Sequence, residues 1–275
     1  RLHDEAELVI IRGKKTKNKK KERKEIRRGD RPKVKAIAQI VRKHNKVWLH
    51  HMATLDGKYL TTWCKRIFNN GSLEYGGRFY GDFQRLSKED RARILIGGHQ
   101  TTEPDFSALH PNILYAWAGE QISGDPYEIA GYDRSTIKAV MLPLLNSENL
   151  NVLTGQINKS SRPEIKGRHL KWKEDIRQYT LRKAQAIRVG RLEMPDHLKG
   201  FIEGIPEGIN GEELVKAIKH KHSLIAEKFG TKNIGLRLQR ADSRIMAAIL
   251  LQLSARGIPA LPIHDSIRVK SHNRY

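Results

Sequence analysis

The stretch "LQRADSRIMAAILLQLSARGIPALPIHDSIRV", residues 238–269, most restricts the folds open to this chain. Gly257 is typical of a helix end, and the residues before it carry apolar side chains at helical spacing: Ile245, Met246, Ile249, Leu250 and Leu253. The last nine residues form two short apolar runs around His264 and Asp265. The stretch therefore predicts a long helix leading into a β-hairpin with a carboxylate at its bend. An ordinary turn is the alternative, because Asp commonly bonds turn backbone.

A second candidate acid lies in "TTEPDFSALHPNILYAWAG", residues 101–119. The pattern predicts a strand from Thr101 to Phe106, and Pro111 is typical of the first turn of the helix that follows. Asp105 therefore falls at the junction between strand and helix. A helix cap is the simplest alternative to a functional role, because Asp at such a junction often bonds free backbone N–H groups.

A basic helix face is predicted in "GYDRSTIKAVMLPLLNS", residues 131–147. Arg134 and Lys138 are four residues apart, so their like charges repel by about 0.2–0.5 kcal/mol on an isolated helix. An anion bound between them would offset that repulsion, and an ordinary solvated basic face is the alternative. Pro143 disrupts a helix interior, so we expect this helix to end or kink near Leu142.

The chain is strongly basic, with 52 Lys and Arg against 30 Asp and Glu, a net charge of +22 and a pI of about 10.1. Such a surface attracts polyanions, chiefly nucleic acid. Residues 12–35 hold fourteen basic and three acidic side chains. They predict a flexible basic arm or solvated helix that contacts phosphates, with a solubilising tail as the alternative. Basic stretches near 159–173 and 182–191 indicate an insertion lying against the same kind of partner.

Cys64 is the single cysteine, which excludes a disulfide framework and a CxxC zinc site. Only His and carboxylate side chains remain as plausible metal ligands, and a reducing cytoplasm fits best. No apolar run approaches the roughly 18 residues of a membrane span, so we expect no membrane association.

Four glycines and three aromatic residues surround Arg78 in "GSLEYGGRFYG", residues 71–81. Glycine lets the backbone approach a ligand or another strand closely, and the rings could stack on bases. An aromatic hairpin that fills the core is an equally good interpretation.

Taken in chain order, the sequence offers Asp105, a basic helix face and Asp265. Two carboxylates with cations between them suit phosphoryl or nucleotidyl transfer, in which two metal ions contact the attacking and leaving oxygens while cations hold the phosphates. No glycine-rich phosphate-loop pattern is present, so a P-loop nucleotidase is not expected.

These stretches carry a resemblance to a known family. "DFSALH" resembles motif A of the family A DNA polymerases, and "RSTIKAVM" resembles motif B of that family and of the single-subunit, phage-type RNA polymerases. "IHDS" resembles motif C, and "LQRADSRIMAAIL" is similar to the Gln-containing helix that precedes it. The resemblance covers roughly residues 63–270 and extends to bacterial and phage proteins that look like compact polymerase cores.

The resemblance implies an α+β fold: a polymerase-like palm with an antiparallel sheet backed by helices, reduced helical fingers and a basic N-terminal arm. It implies that Asp105 and Asp265, with the Phe106 carbonyl, ligate two Mg²⁺ or Mn²⁺ ions. Arg134 and Lys138 would hold a nucleoside triphosphate, and Lys138 would protonate the leaving pyrophosphate. The remaining implied contacts are to the nucleotide (Phe106, His110, Leu142, Asn146) and to nucleic acid (His264, Gln239, Arg78, Lys19, Lys20, Lys21).

The expected domains are an arm over 1–35, a helical and aromatic-hairpin region over 36–100, and a palm over 101–275. A fingers insertion would occupy about 120–235, and we expect the palm to continue beyond Tyr275. His110 stands where family A has Glu, and Asn146 stands where motif B has Tyr, so the choice of sugar is open. The expected partners are a template and primer, nucleoside triphosphates and a processivity or replisome protein, in the cytoplasm near the nucleoid of a bacterial or phage-infected cell.

Two other interpretations remain. One is a non-catalytic nucleic-acid-binding protein built on a palm scaffold, which the altered His110 and Asn146 positions favour. The other is an unrelated basic architectural or ribosomal-type protein, in which Asp105 and Asp265 are only cap and turn residues.

Overall fold

A computed structural model describes residues 5–14, 22–167, 170 and 201–273 of the chain. The chain divides into two units, of which the first comprises Arg1–Ile113 with Gly235–Tyr275 and the second Leu114–Ile234. Among the described helices, none combines the length and the apolar character needed to cross a membrane.

A six-stranded sheet dominates the first unit. Its strands are β2 (Ala53–Leu55), β3 (Lys58–Tyr59), β6 (Leu95–Ile96), β7 (His99–Thr102), β8 (Leu261–Ile263) and β9 (Ser266–Lys270). They lie in the order β3-β2-β6-β7-β9-β8, and every neighbouring pair is antiparallel. The prediction of a mixed fold with an antiparallel sheet is confirmed, and the hairpin around His264 and Asp265 forms as predicted.

A three-stranded sheet lies in the same unit, in the order β1-β4-β5. Its strands are β1 (Val9–Ile11), β4 (Lys65–Phe68) and β5 (Gly76–Tyr80). The glycine-rich stretch thus contributes a strand that packs in the core. Gly77 has a φ of +83°, and a Cβ placed there would lie 2.5 Å from the Phe68 ring, so a close approach of strand to ring requires glycine.

The predicted arm over residues 1–35 is wrong for its first described part. Helix α1 (Glu5–Leu8) leads into β1, which pairs in parallel with β4. Leu8, Val9 and Ile11 are buried, and burial of these three apolar side chains fixes a segment that was predicted to be part of a flexible arm. Helix α2 (Arg31–Val47) also begins inside the predicted arm.

Three helices accompany the sheets of the first unit: α2, α3 (Lys88–Ala92) and α8 (Ile234–Ala255). Val34, Ala38 and Val41 of α2 share one core with Met246 and Leu250 of α8 and with residues of both sheets. Helix α8 ends before Gly257, whose φ of +68° suits the turn into β8 and confirms the predicted helix end.

The second unit is helical. Its helices are α5 (Arg134–Asn146), α6 (Leu150–Ser160) and α7 (Gly211–Lys221), with helical segments at 163–167 and 201–204, and α4 (Leu109–Trp117) runs into it from the first unit. The predicted end of α5 near Leu142 is wrong, because the helix continues through Pro143 to Asn146. Leu144 and Leu145 are fully buried, and their burial holds the last turn despite the missing Pro143 N–H.

His44 makes the stability of the first unit sensitive to acid. Its side chain is buried in α2, its Nε2 has no hydrogen-bond partner among the described residues, and burial lowers its pKa to about 4. Between pH 6.5 and 4 the unfolded chain therefore binds a proton that the folded chain does not, so stability falls as pH falls. We expect a loss of about 3 kcal/mol from this residue across that window, at roughly 1.4 kcal/mol per pH unit.

The pH dependence of urea unfolding checks this expectation. His44→Leu should flatten the dependence between pH 6.5 and 4, whereas substitution of the exposed His50 by Gln should leave it as in the parent chain. An unchanged slope in His44→Leu would show that the acid sensitivity arises elsewhere.

Candidate functional site

The structure brings the two predicted carboxylates onto adjoining backbone segments of the first unit. Asp105 forms an isolated antiparallel bridge with Ser266, and the Phe106 N–H donates to the Asp265 carbonyl at 3.4 Å. The Ile267 N–H donates to the Pro104 carbonyl at 3.1 Å. Asp105, Phe106 and Asp265 are all exposed. The predicted strand from Thr101 ends at Thr102, and the bridge beyond it holds Asp105 beside the hairpin.

The backbone around this acidic pair is strained at two non-glycine residues. His264 and Asp265 form the whole of the two-residue turn between β8 and β9, and His264 has a φ of +53°. Ala108, three residues after Asp105, has a φ of +49°. Left-handed backbone costs an L residue roughly 1–2 kcal/mol, and such residues collect at functional sites. The turn therefore keeps an imidazole where glycine would be easier to accommodate.

Because His264 has a positive φ, we expect Gly to be more stable than Ala at this position, the reverse of the usual order. His264→Gly should be about 1 kcal/mol more stable to urea than His264→Ala, because glycine adopts positive φ freely. At Asp265, whose φ is not positive, the same pair of substitutions should give Ala at least the stability of Gly. Equal stabilities of the two His264 variants would show that the turn relaxes.

A buried carboxylate, Asp242 of α8, organises the elements around the turn. Its side chain has no exposed surface and accepts hydrogen bonds from Arg78 Nε at 3.0 Å and Arg78 Nη2 at 2.5 Å. His110 Nε2 lies 2.9 Å from the same carboxylate. Arg78 and His110 are themselves only 16% and 11% exposed. One carboxylate thus ties together β5, the start of α4 and the middle of α8.

This arrangement differs from the predicted roles of Arg78 and His110. The predictions gave Arg78 a nucleic-acid contact and His110 a nucleotide contact, whereas the structure gives both an internal carboxylate. Asp242 was missed by the sequence reasoning. Its signal was spacing, since Leu238, Asp242 and Met246 recur every four residues along the buried face of α8. An acid within an apolar stripe requires a buried partner.

A second ionic cluster joins the segments next to the two acids. Glu103 accepts hydrogen bonds from Arg91 at 3.1 Å, from Arg268 at 2.8 Å and from the Ser266 hydroxyl at 3.1 Å. Burial acts to raise the pKa of Glu103, but the two guanidinium groups outweigh it, so the pKa is lowered and the carboxylate stays charged. Glu103 thereby fixes the segment before Asp105 against the strand after Asp265.

His264 lies among charged groups at the tip of the hairpin. Its ring meets Tyr80 edge to face at 6.1 Å between centroids. Partial removal of water lowers the pKa of His264 and Arg78 adds to the effect, whereas Asp265 and Asp242 oppose it. The imidazole is therefore neutral near pH 7 and offers one donor and one acceptor. Gln239, partly exposed, lies one helical turn before Asp242 on α8.

The second unit carries the predicted triphosphate-binding residues on α5. Arg134 and Lys138 are exposed, and Arg134 already holds Asp125, with Nε to Oδ2 at 2.5 Å and Nη2 to Oδ1 at 3.4 Å. This forked contact is the geometry that Arg also uses with phosphate. Leu142 and Asn146 are exposed one and two turns further along, and the Asn146 amide donates to the Leu142 carbonyl.

The donor set beside the hairpin fits a hard divalent cation. Mg²⁺ prefers oxygen ligands and is commonly held by one or two carboxylates together with substrate phosphates and water. Asp105 and Asp265 supply two exposed carboxylates, and the Phe106 carbonyl lies next to them in the chain. Within the described residues, no group of three or more His, Cys, Asp or Glu side chains is close enough to hold a metal ion by itself. A metal ion at this position would therefore need further ligands from water or from a substrate.

Lys19, Lys20 and Lys21, predicted to contact nucleic acid, lie outside the described residues. Comparison with family models, with curated proteins and with solved structures returned no match for this chain.

Proposed function

We propose that this chain is a nucleic-acid-templated nucleotidyltransferase with a polymerase-like palm. One observation carries the proposal: the two exposed acids, far apart in sequence, are held on bridged backbone segments at a strained turn. The basic composition and the resemblance of three motifs to family A and single-subunit polymerases support the same conclusion. The fold class is consistent with it, since the acids lie just beyond the ends of strands in an antiparallel sheet.

In this proposal the residues have separate roles in binding metal, triphosphate and the growing strand. Asp105 and Asp265 would hold Mg²⁺ or Mn²⁺, which would make a 3′-hydroxyl a better nucleophile and offset the charge of the phosphates. The hydroxyl oxygen bonds to the α-phosphorus, and the bond to the leaving pyrophosphate breaks. Lys138 would protonate that leaving group and Arg134 would hold the triphosphate, releasing Asp125. Neutral His264 would orient the end of the growing strand by hydrogen bonding.

A second candidate is a non-catalytic nucleic-acid-binding protein on the same scaffold. The internal pairing of Arg78 and His110 with Asp242 favours it, because these two residues then serve the fold and leave fewer groups for substrate. Binding would come from the basic surface, with no metal requirement.

Primer extension by the full chain separates the two. The assay combines DNA or RNA templates with deoxyribo- or ribonucleotides and with Mg²⁺ or Mn²⁺. We expect incorporation that depends on the template and stops when the metal is chelated. Binding of the primer–template without incorporation in any combination would favour the second candidate.

A further inference from the structure

A cavity of about 700 Å³ opens beside the His264 turn, entirely within the first unit. It lies in the size range of pockets that hold small organic ligands, about 300–1,000 Å³. We call it the Trp63 cavity and define it by four basic and two aromatic side chains of its lining: Arg12, Arg23, Lys65, Arg85, Trp63 and Tyr80. Its acidic lining residues are Glu7 and Asp82, so positive charge prevails.

Two of the cations face each other across a backbone bridge. Arg12 and Arg23 form an antiparallel bridge, and both side chains are exposed. Hydrogen bonds from Gly13 N–H to the Glu22 carbonyl at 2.8 Å and from Lys24 N–H to the Ile11 carbonyl at 2.7 Å hold the two segments together. Like charges at opposed positions are destabilising, and neither guanidinium has a carboxylate partner among the described residues. An anion between them would relieve that repulsion.

The other cations add to this anion-attracting surface. Lys65 is exposed on β4. Among the described residues, Arg85 has only a distant contact of 3.8 Å with Asp82, and both of these side chains are largely exposed. Such an exposed pair holds its charges weakly, so a phosphate competes with it easily. Several cations along one cavity suit a chain of phosphates better than a single anion.

The two rings add a second kind of recognition. Trp63 and Tyr80 are half-buried, so their positions are fixed while part of each ring faces the cavity. Tyr80 also contacts the His264 ring, which lines the same cavity. Aromatic rings among basic side chains are typical of single-stranded nucleic acid sites, because unpaired bases stack on the rings while the cations follow the backbone. A duplex hides the faces of its bases from such rings.

We propose that the Trp63 cavity binds single-stranded nucleic acid, with phosphates on Arg12, Arg23 and Lys65 and bases against Trp63 and Tyr80. An acidic peptide would satisfy the cations but would leave the two rings without a planar partner. The binding itself does not depend on catalysis. The direction of the strand, toward His264 and Asp265, rests on the proposed function.

Fluorescence anisotropy with the full chain tests the proposal, using labelled oligothymidine or oligouridine of about 12 nucleotides, within the usual site sizes. The double variant Arg12→Gln/Arg23→Gln should bind at least tenfold more weakly. The slope of log K against log salt concentration should become shallower by about 1.4, since each phosphate contact on a single strand contributes about 0.7 to that slope. The matched control, Arg27→Gln/Arg28→Gln, removes two exposed charges from the same region outside the cavity lining and should change binding less than threefold.

Trp63→Leu should weaken binding about tenfold while Trp63→Phe retains most of it, and thermal unfolding checks that both variants fold. A preference for oligothymidine or for oligouridine would show whether the cavity favours DNA or RNA. Either preference supports the proposal. The proposal would be overturned by equal losses of affinity in the two double arginine variants or by equal affinity for a duplex of the same length. Displacement of the oligonucleotide by polyglutamate would also overturn it. Asp265→Asn should bind the oligonucleotide as tightly as the parent chain does and should lose only incorporation. Binding and incorporation are measured separately, so failure of the proposed function can be told from failure of the binding proposal.

Discussion

Asp265→Asn is expected to lower single-nucleotide incorporation by about 10³-fold while leaving oligonucleotide binding unchanged. The amide keeps the size of the side chain and removes its charge, so the oxygen that would hold a hard cation becomes a much weaker ligand. A bound cation supplies several kcal/mol of transition-state stabilisation, and each 1.36 kcal/mol is tenfold in rate. Rapid-quench measurement of one nucleotide addition, with the metal concentration varied, gives the change directly.

Asp105→Asn should show a loss of similar size, and the double variant should be little worse than either single one, because the two carboxylates act as a unit. Asp56→Asn is the matched control. Asp56 is an exposed acid of the same unit that pairs with Arg93 on the surface, and its loss should leave incorporation unchanged. Activity of Asp265→Asn within threefold of the parent would remove that carboxylate from the chemistry.

Asp242→Asn is expected to destabilise the first unit by about 3 kcal/mol or more. The Asp242 carboxylate is fully buried, and Arg78 is only 16% exposed, so the substitution leaves a guanidinium charge out of water without its counter-charge. Breaking one partner of a buried pair typically costs 3–5 kcal/mol. Urea unfolding followed by circular dichroism should show a lower midpoint for the unit that contains α8.

The double variant Asp242→Leu/Arg78→Met distinguishes a charge effect from a packing effect. Replacement of both partners by apolar side chains is often close to neutral, so the double variant should recover most of the stability that Asp242→Asn loses. His110 keeps its place in α4 but loses its carboxylate, and a small residual loss reflects that bond. A double variant less stable than Asp242→Asn would show that α8 depends on the shape of the pair.

Local patterns predicted the elements that carry the candidate site. The apolar spacing through Met246 and Leu250, with Gly257 after it, predicted α8 and its end, and the two apolar runs predicted the hairpin around Asp265. The same reasoning failed where burial overrode composition. Val9 and Ile11 pair with β4 although they adjoin a lysine-rich segment, and α5 continues through Pro143 because Leu144 and Leu145 are buried beyond it.

The partners of the charged residues could not be predicted in the same way. Asp105 and Asp265 belong to distant stretches, and only pairing of the β-strands shows that their backbones adjoin. The sequence predicts a nucleic-acid contact for Arg78, which stands among glycines and aromatic rings, yet Arg78 lies against Asp242 of α8. A charge pattern predicts the sign of the net charge on a surface. The partner of each charged side chain depends on which distant segment packs beside it in the core.

The sequence by itself determined the helix, the hairpin and the basic character of the chain, because periodicity, turn residues and net charge are properties of adjacent residues and of composition. Tertiary structure decided that the segments carrying the two acids are bridged at a strained turn and that Arg78 and His110 both contact Asp242. It also decided that Arg12 and Arg23 are paired across a bridge and line the same cavity as His264. These contacts join residues far apart in the chain, and they form only when burial of the shared core fixes the register between its strands and helices.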